Sequence, residues 1–192
     1  MKESALIRQA RRELAQCEKD IAAGIHREIK GAELSRRRAL IEHEKTRPLF
    51  LIACSGSKLD KPAKARDLYT GQAFRFAMEA ATRAGADVLI LSALHGVVDP
   101  DAVLNPYDVT LSNMSQSDRQ AWAQRTAAEL EPYQGRAVTV LAGANYAAAC
   151  KDLDAVYPLA NLGIGQQLAV LKNYKKKPEP TGQIEQITLE LF

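Results

Sequence analysis

Leu49-Phe50-Leu51-Ile52-Ala53 runs without a polar residue and then breaks into Cys54-Ser55-Gly56-Ser57-Lys58. An apolar run this short, following Pro48, suits a strand buried on both faces, the kind that fills the middle of a parallel sheet. The small polar residues behind it have the composition of a loop leaving such a strand. Ligands bind at loops of that kind in open α/β sheets. The stretch therefore predicts a fold class and a place to look for a site.

The pattern recurs downstream. Gln72 to Ala84 has helical spacing through Phe74, Phe76, Ala77 and Ala80/Ala81, with Gly85 as its stop. Asp87 to Leu91 reads as a second buried strand and Ala137 to Ala142 as a third. Ser117 to Leu130 reads as a helix carrying the only tryptophan, Trp122, capped by Ser115 or Ser117. Asn145 to Asp152 and Gln166 to Asn173 read as short helices, the second entered through Gly163-Ile164-Gly165. Alternating strands and helices predict an α/β fold, a mostly parallel sheet flanked by helices.

Residues 3–46 read as helix. Ile7, Ala10, Leu14, Cys17 and Ile21 form one apolar seam, and Leu34 and Ile41 resume it after Gly24 and Gly31. Glycine costs about 1 kcal/mol in a helix interior, so a helical hairpin is expected over 1–47, before an α/β domain over 48–174. From Lys175, Lys-Lys-Lys-Pro-Glu-Pro-Thr-Gly is linker composition, and 175–192 is expected to be a flexible basic tail.

With 46% hydrophobic and 26% charged residues, the chain has the composition of a globular domain with a real core. No apolar run reaches the ~18 residues of a membrane span, and the charged start from Lys2 lacks an apolar leader. A cytoplasmic protein is expected. Cys17, Cys54 and Cys150 are widely spaced, which disfavours a disulfide framework or structural zinc. His26, His43 and His95 are scattered, so no metal and no cofactor is expected. Net charge is +3, yet residues 1–47 hold 12 Lys/Arg against 8 Asp/Glu. Arg36-Arg37-Arg38 and Lys175-Lys176-Lys177 read either as solvated surface or as phosphate contacts.

Four polar clusters fall between Cys54 and Asp108: Cys54–Lys58, Leu68-Tyr69-Thr70-Gly71, Leu91–Gly96 and Asn105-Pro106-Tyr107-Asp108. Together they predict one assembled pocket. Ser57 and Lys58 suit an anion, although the loop lacks Walker spacing. Cys54 reads as a nucleophile or a small buried thiol. His95 is structural or catalytic. Tyr69 and Tyr107 are core aromatics or platforms for a planar base. Asp108 is a turn former or a pocket carboxylate. Asn145 is a helix cap or a reader of a base edge. Gly163 and Gly165, with Lys172 beyond, have the shape of a helix-hairpin-helix turn that points N–H groups at a DNA phosphate, or serve helix packing.

The Cys-Ser-x-Ser-Lys loop, Leu-Tyr-Thr-Gly, Leu91-Ser-Ala-Leu-His-Gly-Val-Val-Asp-Pro and Asn105-Pro-Tyr-Asp-Val-Thr-Leu together resemble the YaaA-like superfamily over about residues 49–172. That superfamily includes peroxide-stress DNA-binding proteins and relatives found near DNA-modification systems. The resemblance implies an α/β body with a DNA-binding groove. It implies pocket positions at Ser57, Lys58, Tyr69, His95, Gly96, Tyr107 and Asp108. The tail, Gln186-Ile-Thr-Leu189-Glu-Leu191-Phe192, resembles a peptide that binds the replication sliding clamp, with Gln186, Leu189, Leu191 and Phe192 as anchors. Its other reading is a last strand or helix that closes the fold.

These readings lead to an expected DNA N-glycosylase acting on a modified or damaged pyrimidine. Asp108, His95 and Lys58 would be catalytic; Ser57, Tyr69, Tyr107 and Asn145 would hold the everted nucleotide. Gly163, Gly165, Lys172, Lys175 and Arg37 would contact DNA. The expected location is the cytoplasm, associated with the nucleoid. The alternative expectation is a non-catalytic DNA-binding protein of the oxidative-stress response, recruited to replication forks.

Overall fold

Strand β1 (Leu49–Ala53) forms where the apolar run predicts it, and it sits at the centre of a five-stranded sheet. The computed structural model describes residues 46–174 together with Arg12, Ala15, Gln16 and Lys19, which are helical. The rest of the expected N-terminal hairpin and the whole tail lie outside the described residues, and so do Arg37, Lys175, Gln186, Leu189, Leu191 and Phe192. After β1 come β2 (Ala63–Lys64), α1 (Ala65–Leu68), α2 (Gln72–Ala84), β3 (Asp87–Ser92), β4 (Gly96–Val98) and β5 (Val103–Leu104). Then follow α3 (Gln116–Leu130), β6 (Val138–Leu141), α4 (Ala144–Ala147), β7 (Ala155–Val156) and α5 (Ile164–Lys172).

The sheet order is β4-β3-β1-β6-β7. β1 pairs in parallel with both β3 and β6, β6 pairs in parallel with β7, and only the edge strand β4 runs antiparallel. Helices cover both faces, so the sheet is mostly parallel as predicted. Phe50, Ile52, Ile90 and Leu141 face one way, onto α1, α2 and α5. Leu49, Leu51, Leu89, Leu91, Val138 and Val140 face the other, onto Leu130, Cys150 and Leu153. Each fully buried side chain of this size contributes about 1.5–3 kcal/mol, and these are nearly all sealed from water.

Both ends of α2 match the prediction, and Gly85 closes it at φ 60° in the left-handed region that glycine tolerates. Arg83 of α2 donates to the carbonyls of Leu171 and Tyr174, so it satisfies the C-terminal end of α5. α3 begins one residue earlier than predicted, with Ser115 Oγ accepting the Asp118 N–H at 3.1 Å. The helix expected over Asn145–Asp152 is only α4 followed by a 3-10 turn at Ala148–Cys150. Its N-cap is Gly143, so Asn145 is not the cap. β2, β4, β5 and β7 were not predicted.

The connections decide where a ligand fits. The chain leaves β1 toward the face of α2 and leaves β6 toward the opposite face, where Cys150 and Leu153 pack. β1 and β6 are neighbours, so a crevice opens between their carboxyl ends, the switch point at which open α/β sheets bind ligands.

Candidate functional site

The excursion from Cys54 to Gly71 folds back on itself. The Leu59 N–H donates to the Leu68 carbonyl at 2.9 Å and the Thr70 N–H to that of Ser57 at 3.0 Å, with an antiparallel bridge between Lys58 and Tyr69. Lys58 and Tyr69 are thereby set side by side above the sheet. β2 pairs with β5 as a second, two-stranded sheet, which ties the chain just before Asn105 to the same excursion. Tyr107 is returned to Tyr69 in this way, and all four predicted clusters meet at the end of β3.

Tyr107 is the centre of this meeting. Its hydroxyl is 2.8 Å from Tyr69 Oη and 2.8 Å from Ser92 Oγ. Lys58 Nζ stands 4.3 Å from the centre of the Tyr107 ring, within cation–π range. The His95 ring meets Tyr107 edge-on at 5.2 Å. Ser92, at the end of β3, is fully buried and is used three ways. Its Oγ also accepts the His95 N–H at 3.0 Å, and its carbonyl accepts the Trp122 indole N–H at 2.9 Å. Gly96 makes this turn possible: its φ is +69°, and an added Cβ would collide with the Glu129 carboxylate, which accepts the Val97 N–H at 2.6 Å.

A second pair lies across the end of β1. Cys54 Sγ is 3.3 Å from Tyr146 Oη, and the Tyr146 ring meets Trp122 edge-on at 5.5 Å. Burial pushes the phenols of Tyr107 and Tyr146 far above the ordinary tyrosine value, and the nearby Cys54 adds to it in both. Tyr69 is also raised, by burial, against the opposing effect of its hydrogen bond to Tyr107. These groups therefore work as neutral hydrogen-bonding hydroxyls around neutral pH.

Two cavities flank the Cys54–Gly56 loop. One, of about 500 Å³, is lined by Cys54, Thr110, Ser112, Gly143, Asn145 and Tyr146. The other, of about 300 Å³, reaches between α2 and α5 and includes Cys54, Ser55, Gly71, Gln72 and Gln167. Both volumes fall within the usual range of small-ligand pockets, about 300–1,000 Å³. Gly71 is required by the second, because a Cβ there would lie 2.1 Å from Ser55 Oγ. Among the described residues no group of three or more His, Cys, Asp or Glu could hold a metal ion.

The structure distributes the predicted site residues unevenly. Lys58, Tyr69, His95 and Tyr107 come together. Tyr69 is 1% exposed and packed against Phe74 and Tyr107, so neither face of its ring is open to a base; its core reading is the one realised. Asn145 is exposed and lines the larger cavity. Ser57 is exposed, with its N–H bound to Ser55 Oγ. Asp108 is exposed and lines neither cavity, because its neighbour Tyr107 takes the inward direction. Gly163, Gly165 and Lys172 are exposed on α5, and the Gly163 N–H is taken by Gln166 Oε1. β7 and a run of turns precede Gly163 in place of a helix, so the expected helix-hairpin-helix shape is absent there. Ser92 and Tyr146 are contributors to which the sequence assigns no role, and Cys54, weighed as a nucleophile or a small thiol, is a hydrogen-bonding neighbour of Tyr146. Their only signal was position, each at or just beyond a predicted strand end.

Residues 49–173 match the family of unknown function DUF6884, and the chain belongs to that family. No curated protein matches it. No solved structure matches it either.

Proposed function

We propose that this protein acts on a nucleobase in DNA, as an N-glycosylase of a modified or damaged pyrimidine, with the crevice between β1 and β6 as the base pocket. The observation that carries the reading is Tyr107. It is fixed by Tyr69 and Ser92 and covered by Lys58 and His95, and its electrostatic neighbour Cys54 lines a cavity of about 500 Å³ at the switch point of the sheet. In this reading the everted base enters beside Tyr146, and the Asn145 amide pairs with its polar edge. Lys58 holds a flanking phosphate. Asp108 and His95 stand outside the cavity, where the sugar remains. Water adds to C1′ as the C1′–N bond breaks; Asp108 stabilises the positive sugar and takes the water's proton, the base departs as an anion that takes a proton from solvent, and Asp108 then returns its own proton to solvent.

The kinship with YaaA-like proteins is part of the same proposal, and so is docking of Gln186, Leu189, Leu191 and Phe192 on a sliding clamp, which would place the protein at the nucleoid. The test is incubation with duplexes carrying uracil, 5-hydroxymethyluracil or oxidised pyrimidines, followed by alkaline cleavage. Strand scission on one of these, reduced at least about 100-fold by Asp108→Asn, is the expected result. No scission on any duplex would overturn it.

One observation favours a second reading, a DNA-binding protein without chemistry. No carboxylate lines either cavity, and Asp108 and His95 are exposed. That reading predicts salt-sensitive binding indifferent to Asp108→Asn and His95→Ala.

A further inference from the structure

Beyond Asn145 the larger cavity borders a third depression, of about 600 Å³, between α3 and residues 144–152. Its lining differs in kind from the tyrosine cluster. Gln116, Gln120 and Gln124 recur every fourth residue along α3, so they share one face of the helix. Arg119 and Lys151 supply two cations against one carboxylate, Asp152. Arg119 is held in place by donating to the Met114 carbonyl at 2.6 Å, which leaves most of its five donors for a ligand. Ala123 and Ala127 line the groove beside the glutamines and leave its floor low.

We propose that this groove carries the DNA strand that flanks the everted nucleotide. The inference rests on the base-excision reading and extends it from the base to the backbone. Three features point to a polyanion in extended form. Four residues of helix rise ~6 Å, so the glutamine amides form a ladder with a step comparable to that between successive phosphates of an unstacked strand. Amide and guanidinium groups are the donors that position nucleic-acid backbones. Asn145 belongs to both depressions, so a strand in the groove leads directly to the pocket entrance.

The test is fluorescence anisotropy of the full chain with a labelled, unmodified single strand about 12 nucleotides long, a span within known single-strand site sizes. Gln120, Gln124 and Lys151 are exposed, so the Gln120→Ala/Gln124→Ala/Lys151→Ala variant should keep the wild-type melting curve. Its affinity is expected to fall at least about tenfold, with the log-affinity against log-salt slope flattened by about 1. Lys64→Ala, which removes the same charge from the Asp101 cluster, should change affinity by less than about twofold, since it touches no strand contact. If wild type and the triple variant bind equally, or Lys64→Ala weakens binding as much, the groove proposal fails and base excision stands. Displacement of the strand by poly-glutamate at equal charge concentration would also overturn it, in favour of an acidic peptide. If the wild type binds no DNA of any kind, both proposals fall together.

Discussion

The two ends of the parallel sheet are both polar, and they solve the cost of burying polar atoms in opposite ways. At the amino ends, Asp87 at the start of β3 takes Arg136 at 2.7 Å and Arg47 at 3.2 Å, and Arg136 also donates to the Arg47 carbonyl at 2.7 Å. Charge meets charge and little is left over for a ligand. At the carboxyl ends the hydroxyls of Ser92, Tyr69 and Tyr107 bond one another beneath Lys58, the Cys54 thiol pairs with the Tyr146 hydroxyl, and Cys54 and Tyr146 border an open cavity. An ion network stabilises the sheet; a rigid hydroxyl network near empty volume offers a ligand fixed hydrogen-bonding partners.

Breaking the first network should have the larger thermodynamic effect. Asp87→Ala strands Arg136, whose side chain is 12% exposed, and is expected to lower stability by about 3–5 kcal/mol in urea denaturation. A loss below about 1 kcal/mol, the usual worth of an exposed pair, would erase the contrast between the two ends. Tyr107→Phe at the other end removes the partner of Tyr69 and of buried Ser92. It should cost about 1–3 kcal/mol and, unlike Asp87→Ala, abolish substrate binding at permissive temperature. Gly71→Ala should cost about 1–3 kcal/mol by overpacking. Ser55→Gly should recover part of that loss, since Ser55 is the contact the added Cβ meets.

Alkaline pH should probe the buried hydroxyls and thiol without mutation. The phenols of Tyr69, Tyr107 and Tyr146 titrate above their ordinary value of 10.0 in the folded chain, and burial pushes the Cys150 thiol from 9.0 up to about 12. The folded state keeps these protons where the unfolded chain has released them. Their stabilising effect is complete below pH 9.0 and is lost as pH climbs through the folded values. Urea midpoints should drop steeply above about pH 10 in the wild type and less steeply in Tyr107→Phe; a flat profile would contradict the buried, neutral network. The smallest effect belongs to Lys64→Ala, which breaks a fully exposed contact with Asp101 and should leave the urea midpoint unchanged.

Legibility followed length and continuity. β1, β3, β6 and α2 were readable because unbroken apolar runs or full helical turns carried them. β2, β5 and β7 are two residues each, and Val103 and Val156 in them are exposed, so no periodicity marks them. Their place is set by tertiary pairing. In the site, Lys58, Tyr69, His95 and Tyr107 stood out as polar residues at element ends. The partnership of Cys54 with Tyr146 spans 92 residues, and that of Ser92 with Tyr107 depends on β5 folding back. Neither had a local signal. The direction of Asp108 was equally hidden, because no strand or helix fixes alternation in that loop.

The central claim, that the base occupies the crevice between β1 and β6, can be probed through Cys54, which lines both cavities. In a Cys17→Ser background Cys54 is the reactive candidate, since Cys150 is fully buried. Alkylation of Cys54 by iodoacetamide should slow sharply when a duplex carrying the processed base is bound, and should be unchanged by an unmodified duplex. Equal labelling with both duplexes bound would contradict the account.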